Sequence, residues 1–418
     1  SEILREQFLL NGRRTDCSKL TYTMDDIPAF TEERFMLSKK NYLSAINFEL
    51  EVYYDYNGVK KELTKKWNDI DRELMLEKSF GGQLKKDNLF KEHVSAIANK
   101  AQTDLQKAKL IYAFINKQIK WNNVYGKYTQ YGVKESLEKR SGNIADINLA
   151  LVAALNAADL EAYPVLISTR ENGIPSKVYP QMSKFNYVIA IVKIDGVDHL
   201  LDASEENLHF GELPLRCINI HGRAIYSKKS SDWVALTNYK PTTTNHIFVG
   251  ELTKEHVLKG QLTIKYSGLE ALTKRQQVAS FASEEEYFEQ LDEKLPQFKL
   301  GNGKIEHLHN LDTIFLESYT LEMPMQQFSQ GNSISLNPVL INRITKNPFN
   351  LDARSYAVDL GARSMDSHSL NIRFPEGYSL TSAPKKVAFA LPEGSARFTH
   401  QSNYESNMLQ FKQTLSLN

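Results

Sequence analysis

The chain has 418 residues, with 51 Lys+Arg against 50 Asp+Glu and 41% hydrophobic residues, so its net charge is near +1. That length accommodates about two to four domains with sizeable cores. No basic block favours nucleic acid or a polybasic membrane anchor, and no apolar run approaches the roughly 20 residues needed to cross a bilayer. The opening "SEILREQFLL" is polar from its first residue and does not read as a signal peptide. A start at Ser1 in mid-pattern fits a processed or shortened chain, so no compartment follows from it. Two cysteines, Cys17 and Cys217, are too few for a disulfide framework. "CINIH" offers Cys217 and His221, but two ligands make no metal site, and neither a metal nor another cofactor is expected.

In "SAINFELEVYY" the residues Ile46, Phe48, Leu50, Val52 and Tyr54 alternate with mostly polar neighbours, the period of a half-buried strand. Asn57-Gly58 predicts a hairpin turn, with a return strand from Val59 to Trp67. "TDLQKAKLIYAFINKQIKW" predicts a helix opened by Thr103 and Gln106 as a capping-box pair, with Leu105, Ala108, Ile111, Ile115 and Ile119 on one face. The Tyr- and Gly-rich "NNVYGKYTQYG" reads as a loop, and "VKESLEKR" as a short helix. From Ala145 to Ala158 the chain is helical and apolar nearly all round, which predicts a buried helix. Asn143 is its expected N-cap, and Asp146 a first-turn acid favourable to the helix dipole.

"AYPVLIST" predicts a strand, with Pro164 at its start or on an edge. Tyr187–Ile194 and Val197–Asp202 predict a hairpin turning at Asp195-Gly196. A composition break at "YKPTTTN" precedes a strand in "GQLTIKYSG" and a charged helical insert from Thr273 to Leu295. From Ile305 onward, short strands between Gly, Pro and Asn turns suggest a β-sandwich. The expected fold is therefore α+β. An N-terminal antiparallel β unit (1–85) and a C-terminal β-sandwich (241–418) flank a central α+β domain (86–240).

In order and spacing, the segment from about Thr103 to Leu208 resembles the bacterial transglutaminase-like superfamily, whose fold is shared with papain-type cysteine proteases. The flanks, through "WNDIDRELMLEKSFGG" and "NPFNLDARSYAVDL", are similar to two β-rich domains of unknown function that bracket this module in Gram-negative bacteria. The resemblance implies a cysteine at the start of the buried helix, where the dipole favours thiolate, a histidine on the first hairpin strand and an orienting aspartate on the second. Laid on "GNIAD", Gly142 and Asp146 are in register, while Asn143 replaces an aspartate and Ile144 the cysteine. In "FNYV" Tyr187 stands where the histidine would, and Asp202 of "LLDAS" keeps the aspartate.

Isoleucine has no lone pair to attack an acyl carbon, and a phenol with a pKa of about 10 is a poor base at neutral pH. His199 lies an odd number of residues from Asp202, so the two side chains are expected on opposite faces. The old cleft is then either packed shut or kept as a binding groove. In the second case Trp121, Tyr125, Tyr128, Tyr131, Tyr187 and Asp202 are the candidates to meet a peptide, a peptidoglycan fragment or an oligosaccharide. The expectation is an inactive, scaffolding or binding protein of a bacterial periplasm or cell envelope, alone or with an envelope protein partner. An enzyme of altered, non-cysteine chemistry and a purely structural subunit are the alternatives.

Overall fold

The computed structural model describes residues 2–418 apart from 11, 12, 47, 49, 56, 63–65 and 332. Strands β1 (Glu2–Leu10) and β2 (Arg13–Thr21) form an antiparallel pair, and β3 (Val52–Tyr54) and β4 (Lys60–Glu62) a second one. The strand expected from Ile46 is only three residues long. Phe48 and Leu50 are 69% and 63% exposed, so the alternation there has no core to face. The Asn57-Gly58 turn forms, with Gly58 at φ 75° and Asp55 Oδ1 accepting from the amides of Asn57 and Val59. The return strand ends at Glu62. Residues 63–65 of the expected strand lie outside the described ones, and Trp67 opens helix α1 (Trp67–Leu76) instead.

Helices α2 (Gly81–Leu84) and α3 (Lys91–Ala98) follow, then α4 (Asp104–Gln118). Thr103 caps α4 by accepting from the Gln106 amide at 3.1 Å, while the Gln106 side chain reaches Gln102 N rather than Thr103 N. Ala108, Ile111, Ile115 and Ile119 are buried as the pattern requires, whereas Leu105 is partly exposed and Tyr112 takes a core place. The loop begins with β5 (Lys120–Trp121), paired to β6 (Ser141–Gly142) beyond α5 (Val133–Lys139). Helix α6 (Ile144–Ala157) is buried from Ile144 to Leu155 and forms the centre of the main core, with Ile70, Leu74 and Phe80 packed into the same cluster.

Behind α6 lies a five-stranded antiparallel sheet made of β7 (Glu161–Ile167), β8 (Tyr187–Ile194), β9 (Val197–Leu201), β10 (His221–Ser227) and β11 (Ser230–Ala235), in the order β11-β10-β7-β8-β9. Pro164 sits in the middle of β7. It is tolerated because β10 pairs only with Val165 and Leu166, which leaves Pro164 without a ladder partner on that side.

The C-terminal β-sandwich region holds β12 (Thr242–Leu252), β13 (Val257–Ser267), helices α7 (Gly268–Ala279) and α8 (Glu284–Lys294), then β14 (Lys299–Glu306) and β15 (Phe315–Pro324). A short pair, β16 (Ser329–Gln330) with β17 (Ser333–Ile334), precedes β18 (Ser364–Arg373), β19 (Val387–Ala390), β20 (Ala396–Glu405) and β21 (Met408–Leu417). Its eight long strands hydrogen-bond in one order, β14-β15-β13-β12-β18-β21-β20-β19, with β12 and β18 parallel. The helical insert packs on its buried face. Among the described residues no helix is long and apolar enough to cross a membrane.

Candidate functional site

Three elements converge behind the α6 N-terminus. Asn143 caps the helix, accepting from Asp146 N at 2.9 Å while Asp146 Oδ2 accepts from Asn143 N at 3.0 Å. Asp146 does more than complement the dipole. Its buried carboxylate also accepts from the amides of Tyr131 and Gly132, at 3.2 and 2.8 Å, and so ties the Tyr-rich loop to the helix. A side chain on Gly142 would meet Asp146 Cβ at 2.6 Å, which is why glycine precedes the cap. The entry of α6 therefore sets Ile144 at its first position, facing the start of β8.

The hairpin turns through Asp195 (φ 50°) and Gly196 (φ 78°), the left-handed pair its sequence requires. It places Tyr187 first on β8 and Asp202 just past β9. Tyr187 Oη donates to Asp202 Oδ2 at 2.6 Å. Asp202 Oδ1 accepts from Ser204 Oγ (2.7 Å), Ser204 N (3.1 Å) and Asn148 Nδ2 (2.9 Å). Asn148 lies one turn after Ile144 on α6, so helix and hairpin are joined through this carboxylate.

A 3-10 turn at Leu215–Cys217 adds two members that the sequence pattern missed. Arg216 Nε donates to Tyr187 Oη at 3.1 Å, and its Nη2 donates to Ser204 Oγ at 2.9 Å and approaches Asp202 Oδ2 at 3.4 Å. Its Nη1 pairs with Glu205, whose other oxygen accepts from Gln276 of α7 at 2.8 Å. Cys217, a free thiol, lies 3.6 Å from Asp202 Oδ2. The side chain of Cys17 lies outside the described part.

Ile144, Tyr187 and Asp202 are all 0% exposed. Ile144, Tyr187 and Cys217 share one apolar cluster, against which Leu269 of α7 and Ala362 pack from the C-terminal region. The segment carrying Ala362 is pinned there by Arg170, which donates to Asp359 Oδ1 at 2.9 Å and to Ile218 O at 2.9 Å. At Gly361 a Cβ would lie 2.4 Å from Leu215 Cδ1, so the backbone approaches as closely as a glycine allows.

The aromatic candidates divide. Trp121 and Tyr125 stack at 5.6 Å and 7°, with the Arg216 guanidinium 4.8 Å from the Trp121 ring centre and Tyr125 edge-on to Tyr187 at 5.5 Å. Tyr125 and Tyr128 keep exposed surface. Tyr128 and Tyr131 lie instead against Lys127 and Lys139. Tyr187 and Asp202 offer no surface to a ligand.

Burial, and then the charge of Asp202, push the Tyr187 phenol well above the ordinary tyrosine range. The same two causes push the Cys217 thiol up. At neutral pH neither a phenolate base nor a thiolate is present. His199 packs on Phe210 rather than on Asp202, and His221 turns away from Cys217 to Pro175 O (3.0 Å) and the Trp233 ring. Among the described residues, no thiol–imidazole pair exists at this site.

A pH dependence follows. The folded chain keeps the protons of Tyr187 and Cys217 where the unfolded chain loses them, near the ordinary values of 10.0 and 9.0. The unfolded state then binds fewer protons, so the stability contribution is complete below those values and falls as pH rises through and above them. Denaturant midpoints measured from neutral pH to above pH ~10 should decline at the alkaline end. Tyr187→Phe should flatten that decline by up to about 1.4 kcal/mol per pH unit; an equally steep decline in the variant would show that Tyr187 is not one of the groups responsible.

The arrangement is a central α+β region in which the described residues hold no intact cysteine–histidine pair. In comparison with known proteins, residues 91–197 match the transglutaminase-like superfamily, and residues 332–418 match a separate domain of unknown function with solved structure, DUF3858. The chain is also similar to a solved structure from Parabacteroides distasonis described as a candidate protease, with TM-score 0.50 and 12% identity. That alignment covers all of this chain and 62% of the other, so the chain spans less than two thirds of that protein. No curated protein matches it.

Proposed function

We propose that the chain is a non-catalytic member of the transglutaminase-like group, serving as a scaffold in a bacterial cell envelope. One observation carries this reading. Where an active member needs a thiol and an imidazole, a Tyr187–Asp202–Ser204 network, buried and capped by the part-buried Arg216, stands beside Ile144, with Leu269 of α7 and Ala362 packed against the same cluster. Every oxygen of Asp202 is satisfied, which is how a structural carboxylate is held. The periplasmic setting belongs to the proposal and rests on the resemblance to bacterial relatives.

The partly exposed Trp121–Tyr125 stack favours a second reading, a shallow contact for a peptide or a peptidoglycan or other glycan fragment. Among the described residues at this site, cleavage or transfer by altered chemistry finds no nucleophile–base pair to support it.

The test combines turnover with thiol reactivity. The full chain should neither transfer an amine donor to a glutamine-containing acceptor nor hydrolyse a peptide pool above blank. In a Cys17→Ser background, Cys217 should react with a thiol-directed acyl electrophile only after denaturation. Turnover that disappears in Cys217→Ser would overturn the proposal, because it would make the buried thiol a nucleophile. Fluorescence titration with peptidoglycan fragments, repeated with Tyr125→Ala, separates the scaffold from the shallow binding site.

A further inference from the structure

The C-terminal sheet holds a cluster that the transglutaminase-like site does not use. In the parallel ladder of β12 and β18, His246 stands opposite His368, and Asp366 lies two residues before His368 on the same face. The two imidazoles stack at 4.1 Å and 2°, and His368 Nε2 lies 2.9 Å from Asp366 Oδ1. The three prospective donor atoms lie within 4.8 Å of one another. From this geometry we propose that His246, His368 and Asp366 form a binding site for one divalent transition-metal ion of the zinc class.

The residue types fit such an ion, since two imidazoles and one carboxylate are a common set for Zn²⁺, with a fourth position left for water or another oxygen. The orientation of one ring is already set: His246 Nδ1 lies 3.3 Å from Ser367 O, the backbone partner that a ligating histidine commonly has on its other nitrogen. His246 Nε2 now meets Asn342 Nδ2 at 3.1 Å. Asn342 is exposed, so its amide is free to turn and offer Oδ1 as the fourth ligand. Access is available as well, because both rings are buried while the Asp366 side chain is 44% exposed.

Binding requires a definite rearrangement. Metal–donor bonds of about 2.0–2.2 Å in a tetrahedron place donor atoms roughly 3.3–3.5 Å apart, so donor pairs nearer the 4.8 Å limit must draw in by about an ångström, while His368 Nε2 and Asp366 Oδ1, now 2.9 Å apart, must part slightly. In-plane lone pairs of parallel rings do not converge on one point, so the two imidazoles must also splay about their terminal torsions. The ion would then cross-link β12 to β18, strands separated in the chain by α7, α8 and five intervening strands.

The experiment uses the full, untagged chain stripped with a chelator and titrated with Zn²⁺ against a chromophoric competitor. One equivalent should bind, and the melting temperature should rise with it. His246→Gln, His368→Gln and Asp366→Asn should each weaken binding by about tenfold or more. Absence of saturable binding would overturn the proposal, as would unchanged affinity and stoichiometry in the His246→Gln/His368→Gln double variant. Should the variants misfold, X-ray absorption of the zinc-loaded wild-type chain decides. Two imidazoles with oxygen in the coordination shell support the site; a sulfur ligand, or fewer than two imidazoles, refutes it.

Discussion

Asp202→Ala is expected to destabilise the central region by about 3–5 kcal/mol, the range for removing one partner from a buried ionic network. The size follows from what is left behind. Tyr187 Oη and Ser204 lose their closest acceptor, and Arg216 keeps only Glu205 as a charged partner. Asn148 Nδ2 retains Val188 O at 3.0 Å, so the helix side is less affected. Asp202→Asn should cost less than the alanine but more than a surface change, because each carboxylate oxygen faces donors and an amide must turn an NH₂ toward one set. Tyr187→Phe leaves Arg216 as a donor to Asp202 and should cost about 1–3 kcal/mol. Tryptophan fluorescence is a suitable probe, since Trp67, Trp121 and Trp233, the three tryptophans of the chain, all lie between residues 67 and 233. A loss below about 1 kcal/mol for the alanine would mean that the network is ornamental, and that Ile144 and its apolar neighbours hold this region together by themselves.

That network was only half legible in the sequence. The α6 pattern, the Asn143 cap and the Asp195-Gly196 hairpin are local signals, and each produced the element it implied. Tyr187 and Asp202 met because a two-residue turn fixes register. Arg216 and Cys217 arrive from a 3-10 turn that has no periodicity, and Leu269 and Ala362 from residues far along the chain, so no local pattern announced them. Ser204 was in view, two residues after Asp202, and Asn148, one turn after Ile144, was the other signal available. The strand expected from Ile46 failed for the opposite reason. Its alternation was real, but periodicity describes a chain that could be half-buried and says nothing of whether a core lies beside it. The return strand is shorter than expected because Trp67, Ile70 and Leu74 already follow helical spacing, a change of period that begins at Trp67.

Helix α1 supplies the second large effect. Asp71 is buried and takes a two-pronged bond from Arg223 of β10, Nε to Oδ1 at 2.9 Å and Nη2 to Oδ2 at 2.6 Å, with Ser231 Oγ also 2.6 Å from Oδ2. The guanidinium lies 4.6 Å from the Trp67 ring centre and 5.3 Å from that of Trp233. Asp71→Ala leaves this cation buried without its anion and should cost about 3–5 kcal/mol. Because two of the three tryptophans flank the pair, the emission of the folded variant should change along with its denaturation midpoint. A paired Asp71→Leu/Arg223→Met chain removes both charges and should recover much of the loss, since well-packed apolar residues often replace a buried ion pair at little cost. If the single variant kept its midpoint, α1 would be docked by Ile70 and Leu74 alone. If it loses stability and the double variant regains it, the ion pair sets where α1 sits while apolar packing supplies the attachment. The central fold would then begin, in energetic terms, at Trp67 rather than at the helices nearer Tyr187 and Asp202.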